Sequence, residues 1–358
     1  MKSEFRVTKV SVGTGPAIHA SYDQCPESPD GTRVAYFQFD DEVPGPGKVI
    51  VADREGPARS VGNSPYGSGH VGARPVWLDD ERLAYTIGGQ GGPRVVLCRL
   101  FDNERRTMSG AVRTYSPVNS QALYSTEEYR CFGCRADEEA VFALDIESTE
   151  VHRLLSREAA VAAHPRRDEI TDLESMRFAR ATWSPDGSRF FIVFHSADEA
   201  PGTPLHEARL KSLFLVDARA HHLRYFRECG EDPAWTPDGK ALYMYVDLMD
   251  GEHAAVVYPA DGSGAGPLLH KGPGRHGSLS PDGEYFLSEL IDVPEPGSVS
   301  IVRYEVGTEK PEPLAVFSAV GTMAERGCHV HPVWSRDGSR VYFNCDEGGM
   351  PQLYAVDL

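Results

Sequence analysis

Ala181-Thr182-Trp183-Ser184-Pro185-Asp186-Gly187, followed at once by Arg189-Phe190-Phe191-Ile192-Val193-Phe194, is the stretch that decides the fold. Pro-Asp-Gly is a tight-turn sequence: proline fixes φ, the aspartate accepts local hydrogen bonds, and glycine tolerates positive φ. The aromatic before the turn and the β-branched and aromatic run after it read as two antiparallel strands. The phrase returns as Pro233-Ala234-Trp235-Thr236-Pro237-Asp238-Gly239, Gly277-Ser278-Leu279-Ser280-Pro281-Asp282-Gly283 and Pro332-Val333-Trp334-Ser335-Arg336-Asp337-Gly338. A further strand often follows, as in Ser212-Leu213-Phe214-Leu215-Val216-Asp217. Weaker copies begin at Cys25-Pro26-Glu27-Ser28-Pro29-Asp30-Gly31 and Pro75-Val76-Trp77-Leu78-Asp79-Asp80-Glu81. The faintest, Ala122-Leu123-Tyr124-Ser125-Thr126-Glu127-Glu128, completes seven.

A hairpin repeated at about fifty residues is the signature of a ring of blades. Aligning the copies on the tryptophan and stepping back three residues gives Gln24, Arg74, Gln121, Arg180, Asp232, His276 and His331. Their separations are 50, 47, 59, 52, 44 and 55. Only 27 residues follow His331, and the 24 up to Gln24 complete one more period of 51. The expected fold is all-β: one seven-bladed β-propeller domain over residues 1–358, closed by the N-terminal strand Phe5-Arg6-Val7-Thr8-Lys9-Val10-Ser11-Val12 in the last blade. Closure of this kind removes an exposed sheet edge. A six-bladed ring is the alternative if the faint third copy is a decoration. The best helical candidate is 156–179, read as an insertion over one face.

Composition narrows the function. A net charge of −17 argues against nucleic acid as partner. No run approaches the ~18 apolar residues of a membrane span. Seven scattered cysteines suit a reducing cytoplasm better than a disulfide framework. Cys131 and Cys134, in a strand-like run from 129 to 143, read as two reduced thiols.

The aligned column holds the candidate site. Residues just before the inner strand of each blade surround the channel mouth, and none of the seven is aliphatic. Cys328-His329-Val330-His331-Pro332 places two imidazoles on one face of a strand, since i and i+2 share a side. His276 of the neighbouring blade joins them, and the three form a candidate metal site suited to zinc, iron or manganese. Arg74 and Arg180 are candidate anion contacts, with Arg177 a further one. Gln24 and Gln121 are candidate readers of a polar or sugar ligand.

The Ser-Pro-Asp-Gly hairpins resemble TolB-like propeller repeats over nearly the whole chain. His276 before Gly277-Ser278-Leu279-Ser280-Pro281-Asp282-Gly283, with His329-Val330-His331-Pro332 before Trp334-Ser335-Arg336-Asp337-Gly338, resembles the oligogalacturonate lyase family. That resemblance implies a cytoplasmic, manganese-dependent enzyme that cleaves short galacturonides by β-elimination. It places the metal on His276, His329 and His331. The family's glutamine ligand falls on Arg326, leaving Glu325, Asp232 or water as fourth ligand. The family's catalytic histidine falls on Asp232, which becomes the candidate base, with Arg180 holding a second carboxylate. The expected function is therefore a metal-dependent lyase acting on a small uronate or other carboxylated substrate. A different propeller metalloenzyme that tailors a small molecule, or a non-catalytic binding propeller, remains as alternative.

Overall fold

The computed structural model describes residues 1–54, 56–89, 91–197, 210–219, 222–248, 252–318, 328–346 and 349–358. Seven four-stranded antiparallel sheets are arranged as blades, in the order of the seven copies. In the fourth blade the strands Met176–Trp183, Arg189–Ser196, Lys211–Asp217 and Leu223–Glu228 follow one another outward from the channel. The seventh blade takes Val333–Trp334, Arg340–Cys345 and Gln352–Asp357 from the end of the chain. Its outermost strand is Arg6–Lys9, which pairs antiparallel with residues 354–357. The ring closes as the period arithmetic requires. Among the described residues no helix is long and apolar enough to cross a membrane.

The sheets pack face to face, so the core lies between blades. Phe191, Val193, Leu213 and Leu215 of the fourth blade meet Trp235, Leu242, Met244 and Val256 of the fifth. Three tryptophans of the repeat also stitch neighbours together. The indole N–H groups of Trp77, Trp235 and Trp334 donate to Pro26 O, Thr182 O and Ser278 O of the preceding blades, at 2.8, 3.1 and 3.1 Å. The hairpin turns are near copies. In five of the seven a hydroxyl such as Ser184 or Ser280 donates to the turn aspartate, Asp186 or Asp282, at 2.6 and 2.5 Å.

Three local readings are corrected. The third blade begins earlier than the faint copy suggested. Its inner strand is Thr114–Ser116, with Tyr115 opposite Ala122 where the tryptophan stands elsewhere. The turn is Ser116-Pro117-Val118-Asn119-Ser120, which lacks Asp-Gly and so hides from a motif search. The helix expected over 156–179 covers only Arg157–Ala163; two short turns follow, and residues from Met176 belong to a strand. Cys131 ends a short helix, Thr126–Cys131, rather than sitting in a strand. Thr126–Cys131 forms because Ser125 and Glu128 make a reciprocal capping box. All seven cysteines are free thiols.

Candidate metal centre

Five of the seven aligned residues share a rare backbone state. Arg74, Arg180, Asp232, His276 and His331 have φ of 47°, 56°, 50°, 48° and 47°. For a non-glycine residue this left-handed conformation costs about 1–3 kcal/mol. In the fourth, fifth and sixth blades the pairing with the second strand skips at that point, between Ala179 and Thr182, Glu231 and Ala234, and Arg275 and Ser278. Each column residue therefore sits on a bulge, a device that re-aims a side chain at the edge of a sheet. Strain repeated at equivalent stations marks the channel mouth as a built site.

The other two stations differ. In the first blade Ile18 pairs with Phe37 and Pro26 O accepts from Ala35 N, so His19 follows the last regular pair and residues 20–24 are extra. That insertion turns into the channel. Tyr22 lies 5.5 Å from the His276 ring and 6.0 Å from the His331 ring. Asp23 reaches across to Arg113 Nη2 of the third blade at 2.9 Å. Gln24 is carried past Tyr22 and Asp23 into a cavity of about 480 Å³ at the tryptophan end, where its amide donates to Pro75 O. Gln121 begins the second strand of its blade, opposite Ser116 at the hairpin turn. Neither glutamine belongs to the histidine mouth, and Val112 occupies the third-blade station.

Four imidazoles surround one point. The His276 ring lies 5.0 Å from that of His329 and 4.6 Å from that of His331. His70 adds a fourth, 4.4 Å from the His329 ring and 4.8 Å from that of His331. One ring nitrogen from each of His70, His329 and His331 lies within 4.8 Å of the others, a grouping that could hold a metal ion. His276 Nε2 is 3.3 Å from His329 Nδ1. Two nitrogens bound to one tetrahedral ion at ~2.0–2.1 Å stand about 3.4 Å apart, so the spacing suits shared ligation.

The protonation states agree with ligation. His331 is fully buried and neither ring nitrogen has a hydrogen-bond partner. Burial, then the neighbouring imidazoles, holds it well below the ordinary histidine value. Burial takes His329 down to about 4 and also depresses His70 strongly. A buried polar group left unsatisfied costs about 1–3 kcal/mol, and ligation would satisfy it. His276 differs: burial alone would lower it, but the carboxylates of Glu289 and Asp232 hold it above its usual value. Its Nδ1 is 2.7 Å from Glu289 Oε1, an outer carboxylate of the kind that orients ligating histidines. His19 supports the group from behind, its Nε2 2.7 Å from His331 O.

The charged residues beside this centre are largely occupied. Asp232 accepts from Arg180 Nη2 at 3.2 Å and from His276 N at 3.0 Å. Burial opposes its ionisation, yet His276 and Arg180 hold its carboxyl down at about 2. Arg180 also donates to Tyr22 Oη at 2.5 Å. Arg177 faces the insertion instead, donating to the carbonyls of Glu174 and Met176. Arg74 is buried, and among the described residues it has no ion pair within 4.0 Å and its Nε has no partner. Glu325 and Arg326 lie outside the described residues.

No protein-family model matches the chain. The fold is shared with solved oligogalacturonate lyases. One, in complex with manganese, is 15% identical with a TM-score of 0.68, over 99% of this chain and 94% of that one. Another, from Vibrio parahaemolyticus, is 14% identical at the same score and coverage. The tricorn protease is also similar, at 14% identity and a TM-score of 0.55, over 97% of this chain and 34% of that one. The likeness establishes the seven-bladed architecture.

His70 is the residue that the repeat alignment misses. It stands in the loop leading into the second blade, held by paired hydrogen bonds between Ser68 and Gly72. Gly72 has φ of 58°, and a Cβ there would meet Phe37 Cβ at 2.4 Å. The glycines of Gly67-Ser68-Gly69-His70-Val71-Gly72 are the signal in the sequence: a tight loop four residues before a column position.

Proposed function

We propose that this propeller is a metal-dependent lyase acting by β-elimination on a small uronate or another carboxylated substrate. The observation that carries the reading is the cluster of His70, His329 and buried His331, all held toward the neutral form, with His276 beside them; neither ring nitrogen of His331 has a hydrogen-bond partner among the described residues. Three of His329, His331, His276 and His70 would hold a divalent ion, manganese in the first instance, with iron or zinc compatible. The ion would supply Lewis acidity toward a carboxylate, making the adjacent C–H bond more acidic. The likeness to a manganese-bound oligogalacturonate lyase supports this choice of chemistry.

Within that reading Asp232 is a positioning residue. Both its oxygens are engaged, and a carboxyl near 2 is too weak a base to take a proton from carbon at neutral pH. Asp232 instead fixes Arg180 and the backbone of His276. Proton removal falls to an imidazole, because four rings exceed by one the three protein ligands of a typical open metal site. The plug of Tyr22 and Asp23 closes the channel beneath the substrate and limits water access from the tryptophan end.

A second reading has its own support. The fifth-blade station carries a locked aspartate where the resembling lyases have a histidine. That favours a metalloenzyme of the same scaffold with different chemistry on a small molecule.

Elemental mass spectrometry of the purified protein, beside a His276→Ala, His331→Ala double variant, tests the metal. Near-stoichiometric metal that the variant loses is the expected result. Ultraviolet absorbance of unsaturated uronate products from oligogalacturonate then separates the two enzyme readings. A protein that neither carries nor takes up manganese, iron or zinc overturns both and leaves a binding propeller.

A further inference from the structure

Three arginines stand round the channel, Arg74 and Arg113 buried and Arg180 partly so, and they are not equivalent. Arg113 has Asp23 at 2.9 Å, with Glu128 and Glu127 at 3.8 and 3.9 Å. Arg180 has Asp232, the hydroxyl of Tyr22 and a place over the Tyr22 ring. Arg74 is 3% exposed and has neither an ion pair nor a side-chain hydrogen bond among the described residues. Its backbone N–H donates to Val71 O, closing the loop that also carries His70. It stands at the same strained station as Arg180, Asp232, His276 and His331.

Glu128 and Asp23 act on Arg74 only from beyond ion-pairing distance, and a buried cation without a direct partner is costly unless something else completes it. A guanidinium offers a rigid fork that matches a carboxylate bidentately. Arg74 also acts on His70, four residues before it, so its charge reaches the histidine cluster. The desolvation that lowers the Arg74 pKa acts in the same direction, since an arriving anion would relieve it.

We propose that Arg74, rather than Arg180, is the carboxylate-binding residue of the channel, gripping the ionised carboxylate of a small organic acid held beside the histidine centre. The inference rests on the proposed function only in taking the histidine mouth as the ligand's place. Arg180 is already paired with Asp232 and Tyr22, so its contribution is to the architecture of the floor.

The test is thermal unfolding and calorimetric titration of the intact chain, its Arg74→Gln variant and its Arg74→Lys variant. The probes are D-galacturonate, glycolate and neutral D-galactose. Galacturonate is expected to raise the Tm of the unaltered chain, whereas galactose leaves it unchanged. Arg74→Gln should lose that response at least tenfold in affinity while retaining its metal content. Without ligand it should unfold at or above the Tm of the unaltered chain, because an unpaired buried charge is gone. Arg74→Lys keeps the charge without the fork and should bind at least threefold more weakly, which holds the test open if Arg74→Gln misfolds. Equal galacturonate affinity in Arg74→Gln, equal binding of galactose, or no response of the unaltered chain to either acid overturns the inference. Lyase product formed by Arg74→Gln at an unchanged KM overturns it while sparing the lyase reading. Arg74-dependent acid binding without any unsaturated product has the converse meaning.

Discussion

The two ends of the channel are built on opposite principles. At the tryptophan end, corresponding residues of the blades do the same thing: Ser184, Thr236, Ser280 and Ser335 each donate to a turn aspartate two residues on, at 2.5–2.7 Å. At the histidine end, corresponding residues share a backbone state and differ in chemistry: Arg74, Arg180, Asp232, His276 and His331. Sameness at equivalent places marks what holds the ring. Difference at equivalent places, on strained backbone, marks what the ring is for.

The sharpest way to break this comparison is to damage the tryptophan end and look for an effect at the other. Trp235→Ala removes a buried ring and its bond to Thr182 O, and should destabilise the protein by about 3–5 kcal/mol in denaturant unfolding. Metal affinity of the folded fraction should not change. Glu289→Gln reverses the pattern. It should weaken metal binding about 10–100-fold in competition with a chelator, with little change in Tm. Ser280→Ala loses the hydroxyl that bonds Asp282 and accepts from Tyr285 N, and should cost about 1 kcal/mol with no effect on metal.

The smallest effect is acid sensitivity of the turns. Hydrogen bonds from Ser184 and Ser280 are the leading cause that holds Asp186 and Asp282 below the ordinary carboxylate value. A depressed folded-state pKa means that this stabilisation is present above the unfolded value, about 3.9, and is lost as pH falls below it. Unfolding temperatures between pH 6 and pH 3 should therefore fall less steeply in an Asp186→Asn, Asp282→Asn variant than in the unaltered chain. An equal slope would place the acid-labile groups elsewhere.

The sequence exposes whatever repeats. Trp183, Trp235 and Trp334 with their Pro-Asp-Gly or Arg-Asp-Gly turns locate three blades without ambiguity, and the column three residues upstream follows. The register fails where the physical reason for the motif is absent. Tyr115 replaces the tryptophan and Asn119-Ser120 replaces Asp-Gly, so the third blade was displaced and Gln121 was drawn into the column. Residues 20–24 are an insertion, and fixed spacing placed Gln24 where the pairing puts His19. His70 lies outside any repeat register, because it reaches the centre from a loop shaped by Gly72 packing on Phe37. Whether a charged column residue is directly paired is not legible either: Arg74 and Arg180 are alike in sequence, and only packing gives Arg180 a direct ion pair and Arg74 none among the described residues.

The pairing of Arg6–Lys9 with residues 354–357 has a consequence in time. The strand Arg6–Lys9 emerges from the ribosome some 345 residues before its partner. At ~5–20 residues per second that interval is roughly 20–70 s. Through all of it the N-terminal strand has no native neighbour on its pairing edge, and six blades stand as an open arc. A cell that makes this protein must keep that strand from other edges until residues 354–357 arrive.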